Sequence, residues 1–228
     1  MEKLNCLLCR RESLTPFCTQ TSNIPWHLYS PDSARHTQVN FFQCQQCKLI
    51  IKDPAVRCNT EQERRHYEKH NNDLSDPGYR EHLLRLVNPM VELIKKDAVG
   101  LDYGCGPIIS IGALFQEQGI RCDSYDPIFF ATENLLKQSS YDFITCCEVV
   151  EHFKAPEQEF ENLAGMLRPS GKLIISTHTP PDFFEDWWYQ RDPTHIVFYS
   201  DLTFGWIAHK WGFDLAKLDR NLFLLTKQ

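Results

Sequence analysis

Residues 98–126 read AVGLDYGCGPIISIGALFQEQGIRCDSYD, and this stretch narrows the possible folds more than any other. An apolar run of strand length ends in Gly104-Cys105-Gly106-Pro107. An apolar segment of helical length follows, and a second short strand closes on Asp126. Glycines in such a turn let the backbone approach a ligand, and the helix N-terminus behind it offers free N–H groups. An acid at the tip of the second strand commonly holds ribose hydroxyls. The pattern is a cofactor cradle in an α/β protein. The dinucleotide fingerprint G-x-G-x-x-G would need Gly or Ala at position 109, which is Ile109. Asp102, two residues before the first glycine, points to a different cofactor class.

Five segments follow one another in a familiar order: LDYGCGP, YDP, YDFITCCEVVEHF, LRPSGKLIIST and HIVFYSDLTFGWIAHKWGF. Together they resemble class I S-adenosylmethionine-dependent methyltransferases over residues 98–228. The resemblance implies an α/β, Rossmann-like, seven-stranded methyltransferase sheet, parallel except for its last strand, with helices on both faces. It implies S-adenosylmethionine as donor and S-adenosylhomocysteine as product. Asp102, Gly104, Cys105 and Gly106 would line the methionine end of the cofactor. Asp126, with Pro127 beside it, would take the ribose, and Cys146, Cys147 and Glu148 would lie nearby at a strand end. Two departures stand out. Ile108 occupies a position where many members have a third glycine. Only residues 127–141 are left for a helix, a third strand and the adenine loop, so the third strand is expected to be shortened or lost.

The stretch EVVEHF places Glu148, Glu151 and His152 at i, i+3 and i+4, one face of a helix. Three readings of these residues are open. They can form a polar first turn whose acids complement the helix dipole. His152 or His195 can act as a general base near neutral pH. They can also form a metal-ligand set. For the last reading the resemblance extends to two subgroups, ubiquinone-pathway O-methyltransferases and enzymes that methylate the terminal 2′-hydroxyl of small RNAs. There Glu-x-x-Glu-His ligates a divalent cation. Carried over, the ligands would be Glu148, Glu151 and His152, with His195 as a fourth, and Glu151, His152 and His195 would be the catalytic residues. A divalent cation lowers the pKa of a bound hydroxyl, and positioning supplies much of the catalysis of an in-line displacement.

Near the start, Cys6-Leu-Leu-Cys9 and Cys44-Gln-Gln-Cys47 make two Cys-x-x-Cys pairs. Each can form a knuckle that aims two thiolates at one point, and two knuckles complete a tetrahedron suited to zinc. A closed four-cysteine site leaves no open position, so the zinc is expected to be structural. Cys18, Cys58 and His27 are alternative ligands without a knuckle partner, and unrelated buried thiols or a redox pair are the competing readings. The amino-terminal half is similar to the zinc-ribbon module fused to some bacterial methyltransferases.

The expected organisation is a zinc-ribbon-like module at 1–59, a helical connector or lid at 60–97 and the methyltransferase domain at 98–228. In the connector, EQERRHYEKH reads as an exposed helix and Pro77-Gly78 as a turn. A second helix, kinked or divided at Pro89, follows. Tyr67, His70, Asn71 and Tyr79 are lid candidates. Residues 178–199, HTPPDFFEDWWYQRDPTHIVFY, carry Phe183, Phe184, Trp187, Trp188 and Tyr189. These aromatics can wall off a flat or apolar acceptor, or pack as a core against the cysteine module. The expected substrate-side residues are Tyr67, His178, Trp188 and Tyr199. A helix over 201–211 and a hairpin turning at Asp219-Arg220 close the chain.

Hydrophobic content of 42% and charged content of 24% suit a globular protein, and the net charge of -6 argues against broad charge-driven nucleic-acid binding. No apolar run reaches the ~18 residues of a membrane span, and MEKLNCLLCR lacks the apolar core of a signal peptide. Ten cysteines then point to a reducing compartment, and the expectation is a cytoplasmic protein without a membrane partner. A small-molecule acceptor with O-methylation is favoured. RNA or protein methylation is an alternative, because zinc ribbons often contact macromolecules. A non-catalytic interaction protein on a decayed methyltransferase fold is another.

Overall fold

A computed structural model describes residues 5–21, 38–69 and 72–228. His27, His70 and Asn71, named above, lie outside the described residues. The chain opens with β1 (Leu14–Thr21), β2 (Gln38–Cys44) and β3 (Ile50–Lys52), each antiparallel to the next. Two helices follow, α1 (Thr60–Tyr67) and α2 (Pro77–Leu93). The α/β part then runs β4 (Val99–Tyr103), α3 (Ile111–Glu117), β5 (Arg121–Tyr125), β6 (Tyr141–Cys147), α4 (Pro156–Met166) and β7 (Leu167–Ser176). It ends with β8 (Val197–Phe198), α5 (Asp201–Trp211), β9 (Phe213–Asp219) and β10 (Leu222–Lys227).

The central sheet has the order β5-β4-β6-β7-β10-β9. β4 is parallel to β5 and β6, and β6 to β7, while β10 is antiparallel to both neighbours. The strand order reverses between β4 and β6, so their carboxyl ends flank the switch-point crevice where α/β proteins bind ligands. Among the described residues the sheet has six strands, not the seven expected. Residues 127–140 form only an Asp126–Phe130 bridge and a 3-10 turn at Glu133–Leu135. A parallel crossover needs a dozen or more residues before any strand is added, and this segment is too short for both.

One face of the sheet is covered by Leu83, Leu86, Val87 and Met90 of α2 with Leu114 and Phe115 of α3, packed on Phe143 and Ile174. The other face meets Phe160 and Leu163 of α4 with Phe204 and Ile207 of α5. α2 continues through Pro89 and is not divided there. An interior proline costs about 3 kcal/mol, and the buried side chains on both sides of it offset that. Asp76 caps the helix by accepting from Gly78 N and Tyr79 N, with Pro77 at its first position. α1 is not the solvated helix expected. Glu63 and His66 are buried and pair with Lys154 and Asp192.

The small sheet has the order β1-β2-β3-β8, and its fourth strand comes from the carboxyl-terminal half. Ile50 lies opposite Phe198 and Ile51 opposite Val197. Apolar packing is continuous across this junction. Leu8, Leu49 and Ile51 belong to the same cluster as Val197, Tyr199 and Phe204. Val39, Phe41 and Ile50 pack with Phe184, Trp187, Tyr189 and Phe198. Three of the five aromatics between residues 183 and 189 thus form a core with the cysteine module, while Phe183 and Trp188 are exposed. Phe198→Ala should cost about 3–5 kcal/mol and shift one urea transition reported by probes in both sheets. Two separated transitions would show that the small sheet folds by itself.

Candidate functional site

β4 and β5 end together at the glycine turn. Gly104 N and Cys105 N donate to Tyr125 O at 2.8 and 3.1 Å. Gly104 (φ 83°) and Gly106 (φ 68°) occupy the left-handed region that side chains avoid. A Cβ on Gly104 would lie 2.6 Å from Val149 Cγ1, whereas one on Gly106 would meet nothing within 4 Å. Asp126 organises the loop: Oδ2 accepts from Gly106 N at 3.0 Å, and Oδ1 from Ile128 N and Phe129 N at 2.8 and 3.0 Å. Each carboxylate oxygen has two lone pairs, so Oδ2 retains capacity for a further donor. Asp102 is buried and accepts from the Thr145 hydroxyl at 2.9 Å, and burial pushes its carboxyl up to about 7. Cys105 turns its thiol to Gly106 O at 3.6 Å, and Cys147 ends β6, where burial raises its thiol pKa. A left-handed glycine turn with open space beside Gly106 and an acid at each strand end fits a nucleotide-type cofactor with a cationic end.

Beyond β6 the backbone reverses at Glu148, φ 54°. That conformation is uncommon for a side-chain-bearing residue. It takes Glu148 out of the short 3-10 turn Val150–His152. The helical face expected for Glu148, Glu151 and His152 therefore does not form. Glu148 instead accepts from the hydroxyls of Ser176 at 3.1 Å and Tyr189 at 2.8 Å.

Glu151 and His152 meet His195, and ligand-type atoms of the three lie within 4.8 Å of one another. Glu151 Oε1 is 3.8 Å from His152 Nε2 and 3.9 Å from His195 Nε2. His152 Nδ1 lies 2.9 Å from Thr194 O, and His195 Nδ1 lies 2.8 Å from Tyr189 O. A carbonyl only accepts, so each Nδ1 carries the proton and each Nε2 presents a lone pair. Burial lowers both imidazole pKa values, which keeps the rings neutral at physiological pH.

Glu151 is fully buried. Burial pushes its carboxyl up to about 7, and burial plus the neighbouring Glu151 pushes Glu148 up to about 8. Tyr189 has one O–H but faces both carboxyls, at 2.5 Å from Glu151 Oε1 and 2.8 Å from Glu148 Oε2. The second contact needs a proton on one of the carboxyls. Both groups hold protons more tightly folded than unfolded. In metal-free protein that stabilisation is complete below the unfolded carboxyl range and is lost as pH rises through about 7–8. The thermal midpoint in chelator should therefore fall between about pH 5 and about pH 9, and Glu148→Gln should flatten the fall. A flat wild-type profile would contradict this.

The two Cys-x-x-Cys segments have the same local fold. In each, the first cysteine's carbonyl accepts at 3.0 Å from the residue four positions on, Arg10 or Lys48. Its N–H donates five positions on, to Arg11 O at 3.0 Å or Leu49 O at 2.9 Å. Arg10 and Lys48 have φ 60° and 61°. The thiols of Cys6, Cys9, Cys44 and Cys47 lie within 4.8 Å of one another, a donor set that fits tetrahedral zinc. Cys18 and Cys58 are outside this group, and the Cys58 thiol lies 3.7 Å from Pro193 O.

Among the substrate-side candidates, Tyr67 sets its ring edge-on to His152, centroids 5.5 Å apart. Arg64, on the same helix, donates to Ile128 O at 2.7 Å and lies over the Phe129 ring, so α1 touches both sites. Tyr79 pairs with Ser110 at the start of α3. His178 pairs with Asn221 at 3.0 Å and packs against Trp188 and Tyr189. Tyr199 belongs to the main core cluster. It is fully buried, donates to Val150 O at 3.0 Å and packs on Phe160 and Phe204.

Several site residues escaped the sequence reading. Asp192 accepts at Oδ1 from Thr194 N and Oγ1, at 2.8 and 2.6 Å, and faces His66 at 3.1 Å. Burial works against its ionisation, but His66, His195 and Thr194 hold its carboxyl well below the usual range. Lys52 is fully buried, and its ammonium donates to Asp192 O at 2.6 Å. The Asp-Pro-Thr sequence was the available signal, because Asp two residues before a donor shapes such turns.

A Rossmann-like sheet with this glycine turn, acid pair and strand-end loop defines the class of S-adenosylmethionine-dependent methyltransferases. The family described as a methyltransferase domain matches residues 48–218, and the chain belongs to it. A malonyl-[acyl-carrier protein] O-methyltransferase of Porphyromonas gingivalis is 29% identical over 101 residues, covering 37% of this chain and 40% of that protein. A ubiquinone biosynthesis O-methyltransferase of Coxiella burnetii is 26% identical over 121 residues, covering 41% and 52%. The matches thus span about half or less of these relatives. The Burkholderia thailandensis 1,6-didemethyltoxoflavin-N1-methyltransferase, solved with its substrate and S-adenosylhomocysteine, shares the fold at TM-score 0.54 and 14% identity, over 85% of this chain and 97% of that one. An Archaeoglobus fulgidus SAM-dependent methyltransferase does so at TM-score 0.51 and 20% identity, over 65% and 94%. Among the described residues no helix is long and apolar enough to cross a membrane.

Proposed function

We propose that the protein methylates a hydroxyl oxygen of a small molecule, with a divalent cation held by Glu151, His152 and His195. One observation carries this reading: both imidazoles spend Nδ1 on backbone carbonyls and turn Nε2 toward the same buried oxygen, Glu151 Oε1. Metal-bound histidines are oriented in this way. Glu148, expected as a ligand, is assigned a supporting place behind Tyr189.

The bound cofactor supplies an electrophilic methyl group, and a divalent cation lowers the pKa of a hydroxyl it holds. The chain's own residues bind and orient. The Gly104–Gly106 turn and Asp102 would take the methionine end, and Asp126, with Pro127, the ribose. Glu151, His152 and His195 would hold the cation, while Tyr67, His178 and Trp188 border the acceptor side. The two relatives matched by sequence are O-methyltransferases, which favours oxygen as the acceptor atom. The net charge of -6 favours a small molecule over RNA. Ten cysteines favour a reducing, cytoplasmic setting.

The test is methyl transfer from labelled donor to a panel of phenols and vicinal diols. Transfer should require Mn2+ or Mg2+, stop in EDTA, and fall at least about a hundredfold in Glu151→Ala, as for loss of a metal ligand. Equal transfer in EDTA would remove the cation and leave the histidines as bases. The four cysteines are assigned a structural zinc. Elemental analysis should find one zinc per chain that survives desalting and is lost in Cys47→Ser; a wild-type protein without zinc would overturn the assignment.

A further inference from the structure

We propose that Tyr189 is the positioning residue of the cation site, setting two of its three ligands at once. This rests on the cation reading given above. Tyr189 lies in the short 3-10 turn Trp188–Arg191 and is 1% exposed. It reaches the site by three routes. Its main-chain carbonyl accepts from His195 Nδ1 at 2.8 Å. Its ring packs on the His195 imidazole, centroids 4.1 Å apart. Its hydroxyl is 2.5 Å from Glu151 Oε1, the same oxygen that faces both Nε2 atoms.

A glutamate carboxylate turns freely about its last torsion, whose energy profile is broad. Glu151 is pinned at both oxygens, Oε1 by Tyr189 and Oε2 by the Thr177 hydroxyl at 3.0 Å. The carbonyl contact selects the His195 tautomer that leaves Nε2 available, and the ring contact sets the tilt of the imidazole. Tyr189 is itself held by Trp187 and Phe198, the aromatic core shared with the cysteine module. The ligand geometry is thereby referred to a rigid part of the fold. Tyr189 acts through Glu151 and His195 and is not itself a ligand.

The experiment is Mn2+ titration of the full chain, followed by the paramagnetic resonance signal of free Mn2+. Wild type should bind one Mn2+ per chain, and His195→Ala should abolish it. Tyr189→Phe keeps the ring and the carbonyl, and should weaken binding about 10–100-fold, the range found for residues that orient metal ligands. Its thermal midpoint should stay near wild type, and its S-adenosylhomocysteine affinity should stay within about twofold, as expected for a site not in contact with the change. In a Glu151→Gln background the same substitution should add less than about threefold, because the two act as one unit. Thr177→Val, on the other oxygen, should also weaken Mn2+ binding and gives an independent reading of the pinning. Wild-type affinity in both Tyr189→Phe and Thr177→Val, or an undiminished Tyr189→Phe loss in the Glu151→Gln background, would overturn the proposal while leaving the cation site standing. Absence of Mn2+ binding to wild type would overturn the cation site itself, and this proposal with it.

Discussion

The site depends on two main-chain hydrogen bonds made by one residue. Ile196 donates its N–H to Glu151 O and accepts from Lys52 N, each at 2.9 Å. The first bond registers the Val150–His152 turn against the loop that carries His195. The second ties that loop to β3, where Ile50 and Ile51 pair with Phe198 and Val197. Side chains meet only where backbones are held in register. Glu151 and His195 are separated by 44 positions in the chain, and this stitch brings them face to face. The cysteine quartet sits at the start of the same small sheet, so knuckle, sheet and histidines form one connected path.

Burial sets the electrostatics of this path. Asp102, Glu148 and Glu151 are all withdrawn from water and hold their protons to near neutral pH. Such groups are costly without partners, and hydroxyls from Thr145, Ser176, Thr177 and Tyr189 supply them. The buried carboxyl at the cofactor turn and the one beside the histidines both suit positively charged ligands. The two imidazoles stay neutral, which is the state that donates a lone pair.

Much of this was legible in the residues. The strand–glycine–helix run acts locally and formed as read, carrying the acids at 102 and 126 to neighbouring strand ends, and the paired Cys-x-x-Cys segments bring four thiols together. The missing third strand followed from chain length alone. What misled was periodicity taken without the backbone. Glu148, Glu151 and His152 share a helical spacing, but φ 54° at Glu148 breaks the period and sends its side chain behind Tyr189. Tyr199 ends the aromatic insert and so read as a wall residue, yet directly after β8 it is fully buried in the core. Lys52 reads as the polar end of a strand, and nothing local says that its ammonium will be buried against Asp192. Tyr189 is one of five aromatics within residues 183–189. Its importance lies in contacts to residues 38 positions before it and six after it, which no local pattern encodes.

The most direct test of the account is a crystal grown with S-adenosylhomocysteine and Mn2+, with diffraction measured on either side of the manganese edge. The account predicts one strong anomalous peak outside the cysteine quartet, coordinated by Glu151 Oε1 and by Nε2 of His152 and His195, with Glu148 uncoordinated. A map with no peak between these three residues, at a manganese concentration that supports methyl transfer, would contradict it.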